Sequence, residues 1–326
     1  MRGKNVVPFS AGHGFSRATM SLPLIVGGSV AIDNVTTPGD SAENLLGGSA
    51  AYASLAASYF TEPVHIVGII GHDYPKEHLD MLEEHGVTLE GIERSEKESF
   101  TWTGEYHENM NDRTTHAVAL NVMEDWVPKV PEAIAGTPIV ILANMSPDNQ
   151  LDMLAACTAE KRLVLADSMD LWIQIAREKL DEVLTKLDIF VLNDSEAKEY
   201  TGSNNLMLAG EQLLAKGPRF VIIKLGEFGA MLFGPDGQHF RLPAFPLKKV
   251  ADPTGAGDSF LGGLAGHLAG QGVVDPSFDQ LSNALVRGTV VASFACEAFS
   301  TRAVQAITKA DIENRIKSFK KVTKFD

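Results

Sequence analysis

Residues 250–270 read VADPTGAGDSFLGGLAGHLAG, a polar turn with two glycines that leads into an apolar helix of small residues. A helix that begins near Ala256 leaves its first backbone N–H groups without partners at the positive end of the helix dipole. Such a helix start binds anions. Because Gly255 and Gly257 carry no Cβ, a bulky anion can approach the main chain closely. The stretch therefore predicts an anion site at the beginning of a helix.

Asp258 adds a carboxylate beside this site. Like charges repel, so a carboxylate is a poor ligand for phosphate, but it can take a proton from a hydroxyl that attacks a phosphate. The alternative is that Asp258 only caps a buried helix, since aspartate is common in first turns. A P-loop would need Gly-Lys-Ser/Thr, whereas the last glycine is followed by Asp258-Ser259. A dinucleotide-binding motif would need a third glycine where Phe260 stands, so neither motif fits.

The segment 252–260, DPTGAGDSF, resembles the C-terminal signature of the ribokinase-like (PfkB) carbohydrate kinase family. The resemblance implies that Gly255, Ala256 and Gly257 form the anion hole for a transferred phosphoryl group. It also implies that Asp258 is the catalytic base, that ATP is the phosphoryl donor and that Mg²⁺ is required.

The composition is that of an ordinary soluble protein. The chain has 326 residues and a net charge of −14, which argues against a nucleic acid or an anionic membrane as partner because no basic face can dominate. No apolar run approaches the length of a membrane span. Cys157 and Cys296 are interpreted as core residues in a reducing compartment, and we expect a cytoplasmic protein. Residues 1–20 lack the apolar region of a secretory signal and are expected to be a disordered tail, with a transit peptide as the alternative.

Short apolar runs alternate with helical patterns along most of the chain. This alternation indicates a parallel sheet covered by helices on both faces and joined by right-handed crossovers. We therefore predict a doubly wound α/β fold over residues 21–326. The predicted strands are 24–26, 64–67, 139–143, 163–166, 189–192 and 220–223, and the predicted helices are 49–60, 75–85, 149–159, 173–186 and 206–216.

Two segments, about 34–46 and 98–122, do not follow this alternation of strands and helices. Both read as extended chain interrupted by polar turns, which predicts a small β-layer outside the main sheet. The resemblance implies that this layer is a discontinuous lid that closes over the substrate, and a plain surface hairpin is the alternative. We expect a monomer or a homodimer paired through the exposed lid sheet.

The resemblance also predicts an acceptor site near the first strand. Asp33 is expected at the end of that strand, where its carboxylate accepts hydrogen bonds from adjacent hydroxyls; an Asx turn is the alternative. Gly47 and Gly48 match the family's di-glycine hinge, which contacts the sugar. Tyr52 stands where ribokinase-type members carry a sugar-binding Asn, which disfavours ribose and leaves room for an acceptor that stacks on a ring. Trp102 is a second stacking candidate, and for both rings the alternative is a place in the core.

Two turns that follow strands are predicted to hold the nucleotide. Asn193 and Glu196 match the family's N-x-x-E motif, which the resemblance assigns to ATP and Mg²⁺, with Glu196 acting through water. A helix N-cap is the alternative. Lys224 can reach a phosphate, and Gly226 and Gly229 let the backbone turn sharply beside a nucleotide, with a hairpin turn as the alternative.

Asp252 and Thr254 match positions that line a K⁺ site in many members of the family, and Thr254 is also expected to contact ATP. The loop 292–300 would complete the K⁺ site with backbone carbonyls. Residues 167–171, DSMDL, occupy the place of a D-x-N-x-R element of some sugar-acid kinases and fructokinases but lack its Asn and Arg.

The resemblance extends over about residues 22–317 and implies an ATP-dependent kinase that phosphorylates a hydroxyl of a sugar. A nucleoside kinase of the same family is the alternative, favoured by Tyr52 and Trp102. A non-catalytic relative that binds nucleotide or sugar is disfavoured because Asp258 is intact.

Overall fold

The computed structural model describes residues 20–324, so the predicted tail lies outside the described residues except for Met20. The strands are β1 (Leu24–Gly27), β2 (Ala31–Thr37), β3 (Asp40–Gly47), β4 (Val64–Ile70), β5 (Val87–Arg94), β6 (Phe100–Tyr106), β7 (Arg113–Ala119), β8 (Ile139–Leu142), β9 (Leu163–Asp167), β10 (Ile189–Asn193), β11 (Phe220–Lys224), β12 (Ala230–Phe233) and β13 (His239–Leu242). The α-helices are α1 (Ser49–Ser58), α2 (Lys76–Glu84), α3 (Glu132–Ala135), α4 (Pro147–Ala156), α5 (Asp170–Ile175), α6 (Arg177–Leu184), α7 (Asp194–Thr201), α8 (Leu206–Leu214), α9 (Ala256–Gly270), α10 (Phe278–Ala295), α11 (Arg302–Ala306) and α12 (Lys309–Val322).

The main sheet has nine strands in the order β13-β12-β11-β10-β9-β8-β1-β4-β5. All neighbouring strands are parallel except β12, which runs antiparallel to both β11 and β13. Alternate residues of each strand enter different cores: Leu24 and Val26 of β1 lie in one hydrophobic cluster and Ile25 lies in the other. Helices cover both faces, which confirms the predicted doubly wound α/β fold.

Two local predictions differ from the structure. The predicted helix 173–186 is two helices, α5 and α6, because the backbone of Ala176 leaves the helical region with φ −132°. The predicted loop 292–300 is only partly a loop, because α10 continues to Ala295 and keeps its apolar side chains in the core.

The two segments that do not follow the alternation of strands and helices form a separate sheet of four strands, in the order β3-β2-β6-β7. We call it the lid sheet. Its strands β2 and β6 are parallel although they are far apart in sequence, which a plain surface hairpin could not produce. One face holds a small cluster around Val35, Leu45 and Tyr106. Its outermost strand, β7, is exposed along most of its length. Pairing of this strand with a second copy of the chain stays a prediction, and movement of the sheet also stays a prediction.

Helices α1 and α9 pack with their backbones in direct contact. A Cβ atom at Gly262 would lie 2.1 Å from the carbonyl oxygen of Ala53, and one at Gly266 would lie 2.7 Å from the Cα of Ala57. Only glycine permits this approach. The contact fixes the start of α9 relative to α1.

No helix between residues 20 and 324 is long and apolar enough to cross a membrane.

Candidate active site

The start of α9 forms a tight turn at the carboxyl edge of the main sheet. Gly255 precedes the helix with φ 72°, a left-handed conformation that favours glycine, and no side chain caps the helix. The N–H of Ala256 donates to the carbonyl of Pro253 at 3.2 Å. One of the three predicted anion-hole donors is therefore already engaged in the turn.

Lys224 lies directly over this helix start. It ends β11, and a Cβ atom at Gly257 would lie 2.8 Å from its Nζ. Burial raises the pKa of Asp258 above its ordinary value, and the positive charges of Lys224 and Arg113 act against this rise. Within residues 20–324, neither of these two cations makes a side-chain hydrogen bond or ion pair. In a chain of net charge −14, two unpaired cations at a glycine-lined helix start are the arrangement expected of an anion site.

A cavity of about 680 Å³ opens beside this point. Its lining includes Lys224, Gly257 and Arg113, together with the turn from Gly226 to Gly229. Apolar side chains also line the cavity, among them Phe245, Leu247, Val250 and Ala292. A cavity lined by both cationic and apolar side chains suits a ligand that joins a phosphate chain to a flat ring. Lys224, Gly226 and Gly229 therefore lie together as the sequence predicted, whereas Asn193 and Thr254 are not among the lining residues.

Sequence analysis missed the contribution of the lid sheet to this cavity. Asn111 and Arg113 belong to the β6–β7 hairpin and line the cavity together with the Gly226 turn. The Asn111 Oδ1 would lie only 3.0 Å from a Cβ atom at Gly226. The sequence offered one signal, the basic residue Arg113 next to a predicted polar turn. The Gly226 turn, which lines the same cavity, is more than a hundred residues away in sequence.

Asp167 is a second carboxylate that sequence analysis did not assign to the site. It ends β9, is 4% exposed, and its Oδ1 has no hydrogen-bond partner among the described residues. Burial raises its pKa well above the ordinary value, the charge of Asp258 raises it further, and Lys224 acts against both. No group of three potential metal ligands occurs within residues 20–324. Mg²⁺ needs only one or two carboxylates beside phosphates and water, so an orphaned buried carboxylate oxygen fits it.

The N-x-x-E segment forms a capping box at the start of α7. The Asn193 Oδ1 accepts from the N–H of Glu196 at 2.8 Å, and the Glu196 Oε2 accepts from the N–H of Asn193 at 2.7 Å. The helix N-cap alternative is therefore present in the structure. Glu196 is nevertheless buried near the cavity, where burial raises its pKa and Lys224 acts to lower it. Its part in Mg²⁺ binding stays a prediction.

Asp33 lies inside β2 of the lid sheet, which corrects the expectation that it ends the first strand. β1 stops at Gly27, and the chain crosses to the lid sheet before Asp33 is reached. Its carboxyl packs against Gly47, where a Cβ atom would lie 2.1 Å from Cγ. Burial, followed by the charges of Asp252 and Asp258, raises the pKa of Asp33 to about 8.

The di-glycine segment makes a close crossing between the lid sheet and α1. Gly48 has φ 94°, and a Cβ atom there would lie 2.4 Å from the carbonyl oxygen of Ser29. Only glycine fits this position, and a hinge here stays a prediction. Contact of Gly47 or Gly48 with a sugar stays a prediction.

The two aromatic candidates have different environments. Tyr52 is 2% exposed, and its ring lies against Gly255, where a Cβ atom would be 2.3 Å from Cδ1. The prediction that an acceptor stacks on Tyr52 is wrong, since the ring has no open face. Trp102 is partly exposed and faces the same side of the lid sheet as Asp33, its neighbour in the β2–β6 register. It remains available to an acceptor.

Asp252 joins two loops behind the anion site. It is fully buried, its Oδ1 accepts from the N–H of Thr254 at 2.9 Å, and its Oδ2 accepts from the N–H of Ser300 at 3.0 Å. The Thr254 hydroxyl donates to the hydroxyl of Tyr106 in the lid sheet at 3.3 Å. A K⁺ site at Asp252 and Thr254 stays a prediction.

The cysteines separate into two environments. Cys157 is buried in the core, as predicted. Cys296 is only partly buried and lines the cavity, so its assignment to the core is wrong. Burial raises the pKa of the Cys296 thiol to about 12, which keeps it protonated and unreactive.

Comparison with known proteins shows the family of the chain. The model of the pfkB family of carbohydrate kinases matches residues 25–308. The chain belongs to this family. As a pfkB-family kinase it is a phosphotransferase with an alcohol group as acceptor, which confirms the resemblance seen in the sequence. The cytidine kinase of Thermococcus kodakarensis is 28% identical over 255 residues, which cover 77% of this chain and 90% of that protein.

Solved structures share the fold of this pfkB-family chain. The nucleoside kinase of Methanocaldococcus jannaschii superposes with a TM-score of 0.72 at 19% identity, covering 92% of this chain and 99% of that one. The Arabidopsis thaliana ribokinase, solved with ribose and ATP, has the same TM-score of 0.72 at 19% identity, covering 91% and 99%. At these identities the two structures support the fold alone.

Proposed function

We propose that the protein transfers the γ-phosphoryl group of ATP to a hydroxyl of a sugar, with Asp258 as the base. The observation that carries the proposal is the position of Asp258 between two unlike surroundings. The charges of the unpaired cations Lys224 and Arg113 act on Asp258, and the charge of Asp258 acts in turn on the buried carboxyl of Asp33. A base between an anion site and a hydroxyl acceptor is what phosphoryl transfer requires.

The cavity supplies the donor half of the site. ATP would lie with its base against the apolar side chains and its phosphates at Lys224, Arg113 and the start of α9, as its size and polarity favour. The positive charges and backbone N–H groups there would stabilise the charge that develops on the transferred group. The Arabidopsis ribokinase complex with ATP supports this choice of donor.

The acceptor half depends on Asp33 and Asp258. Asp33 would hold a pair of hydroxyls, which directs one of them towards Asp258. Burial raises the pKa of Asp258 and makes it a stronger base, while the positive charge of Lys224 acts against this rise. Closure of the lid sheet would exclude water and thereby limit hydrolysis of ATP.

Mg²⁺ would be held by Asp167, through its unpartnered Oδ1, and by Glu196 through water. When bound, it neutralises phosphate charge. The remaining coordination would come from phosphate oxygens and water, which explains why no protein cage is needed.

A nucleoside is the second candidate acceptor. Two observations favour it: Trp102 stands beside Asp33 on the same face of the lid sheet, and the match to the cytidine kinase extends over 90% of that protein. The ribose hydroxyls of a nucleoside would meet Asp33, and its base would stack on Trp102.

The test is release of ADP from Mg-ATP with a panel of free sugars, sugar acids and nucleosides, each with and without K⁺. We expect turnover with one of these groups and loss of turnover in Asp258→Asn. ATP binding without turnover on any member of the panel would contradict the proposed function and favour a binding protein. Turnover confined to nucleosides would select the second candidate, and stimulation by K⁺ would support the site at Asp252.

A further inference from the structure

We propose that Tyr52 is a positioning residue that holds Gly255 in its left-handed conformation and thereby aims the anion site at the phosphoryl group. This inference rests on the proposed function. It assigns Tyr52 a part in the chemistry although the side chain does not touch the acceptor.

The first observation concerns what holds the turn at Gly255, whose own backbone hydrogen bond runs from the N–H of Ala256 to the carbonyl of Pro253. Gly255 has φ 72°, and no side chain caps α9. From one side the turn is held by Asp252, which accepts the N–H groups of Thr254 and Ser300. The other side is covered by the ring of Tyr52, since a Cβ atom at position 255 would lie within 2.3 Å of its Cδ1 and Cε1.

The second observation is that Tyr52 is rigidly placed. It belongs to α1, all of whose residues are buried, and it directly precedes Ala53, which together with Ala57 makes the backbone contacts with Gly262 and Gly266. A side chain on a helix locked this closely to α9 cannot follow the turn if the turn shifts. The ring of Tyr52 therefore limits displacement of the Gly255 backbone.

The third observation concerns the surroundings of the Tyr52 hydroxyl. Burial raises the pKa of Tyr52 well above its ordinary value, and the charges of Asp33 and Asp252 raise it further, while the Ser300 hydroxyl acts against them. The side chain thus stays neutral between the acceptor carboxylate and the carboxylate that ties the turn. A neutral ring can fill this position without adding charge to a site already rich in carboxylates.

The test compares Tyr52→Leu and Tyr52→Phe with the wild type. Loss of the ring in Tyr52→Leu frees the turn, so we expect kcat to fall about 10- to 100-fold, the cost of a displacement of about 1 Å at a reacting centre. We expect ATP hydrolysis in the absence of acceptor to fall by a similar factor, because both reactions use the same anion site. The KM for the acceptor should change less than about threefold, a small fraction of the effect on kcat. Tyr52→Phe keeps the ring and should keep most of the activity.

Tyr59→Leu is the matched control, because Tyr59 is a buried tyrosine at the other end of α1, away from the site. It should lower the melting temperature, as Tyr52→Leu does, but leave kcat of the folded protein unchanged. A raised acceptor KM with unchanged kcat and hydrolysis in Tyr52→Leu would make Tyr52 an acceptor ligand. A lower melting temperature with unchanged kinetics would make it purely structural. Either result overturns the proposal.

A binding measurement separates this inference from the proposed function. The ratio of the affinities for ATP and ADP, measured by calorimetry, reports how well the site holds the γ-phosphate without any turnover. We expect Tyr52→Leu to lower this ratio and Tyr59→Leu to leave it unchanged. If the wild type phosphorylates no acceptor, the proposed function fails, but the ratio still decides the role of Tyr52: an unchanged ratio in Tyr52→Leu overturns it.

Discussion

The Nζ of Lys224 lies so close to the backbone of Gly257 that a Cβ atom at position 257 would be 2.8 Å away. One residue ends a central strand and the other lies in the first turn of α9. The chain thus brings a side-chain cation and a helix N-terminus to one point, and an anion at that point would contact both.

Gly257→Ala should weaken ATP binding while leaving the fold intact. The added methyl group meets the flexible end of Lys224, which can move, but the phosphate site loses its closest approach to the main chain. We expect the KM for ATP to rise about tenfold, in keeping with a modest overpacking cost. Gly136→Ala is the control, because a Cβ atom there has no neighbour within 4 Å. An unchanged KM for ATP would show that the phosphates do not reach Gly257.

Asp258→Asn should remove the base without removing the nucleotide site. We expect kcat to fall about 10²–10⁴-fold, the usual contribution of a general base, with the Kd for ATP nearly unchanged. Asp279→Asn changes an exposed aspartate in the first turn of α10 and should leave kcat as in the wild type. If the Asp258 variant turns over at the wild-type rate, Asp258 is not the base.

Arg113→Gln should lower kcat/KM for ATP although Arg113 lies on the lid sheet. Its charge acts on both Asp258 and Glu196, so its loss removes positive potential from the phosphate site. We expect a loss of about 10²-fold, comparable to that of one transition-state donor, and partial recovery in Arg113→Lys. Arg241→Gln, at an exposed position of β13, is the control. Equal kinetics of the two glutamine variants would exclude Arg113 from the site.

The acceptor KM should depend on pH through Asp33. Its pKa is raised to about 8, so the carboxyl is largely protonated at neutral pH and gains its charge as the pH rises through 8. An ionised carboxylate accepts from two hydroxyls, whereas the protonated form has lost part of that capacity. We expect the KM for the acceptor to fall as the pH rises from 7 to 9, and Asp33→Asn to bind weakly with no such trend. A pH-independent KM in the wild type would contradict this assignment.

The same group links stability to pH. The folded protein keeps a proton on Asp33 that the unfolded chain releases near pH 3.8, so between this value and about 8 the folded state binds more protons. The contribution of Asp33 to the free energy of unfolding is therefore greatest below pH 3.8 and declines as the pH rises through this range. Asp33→Asn should flatten that part of the stability curve, measured by urea denaturation.

Local chemistry made much of the site predictable. The start of α9, the Gly226 turn and the positions of Asp258 and Lys224 follow from glycines and polar residues next to apolar runs, and these rules act over a few residues. The capping box at Asn193 was likewise visible as an alternative, because its hydrogen bonds span only three residues.

What the sequence did not predict depends on packing between distant elements. The ring of Tyr52 is hidden by Gly255, and Arg113 reaches the cavity because β6 pairs with β2. Asp167 comes near Lys224 because β9, β10 and β11 are consecutive strands of the main sheet. Asp33 was misplaced because an apolar run followed by glycines does not reveal that the chain leaves one sheet for another at residues 28–30. No local pattern specifies such contacts.

The lid sheet is assembled from two stretches of chain, residues 31–47 and 100–119, separated by α1, β4, α2 and β5 of the main body. Four chain crossings tether it, and one of them passes through Gly48, where no other residue fits. A sheet tethered in this way cannot be excised, exchanged or inserted as a single cassette, and it cannot swing freely about one linker. New acceptor preferences would therefore have to arise by substitution at its inner face rather than by replacement of the whole sheet.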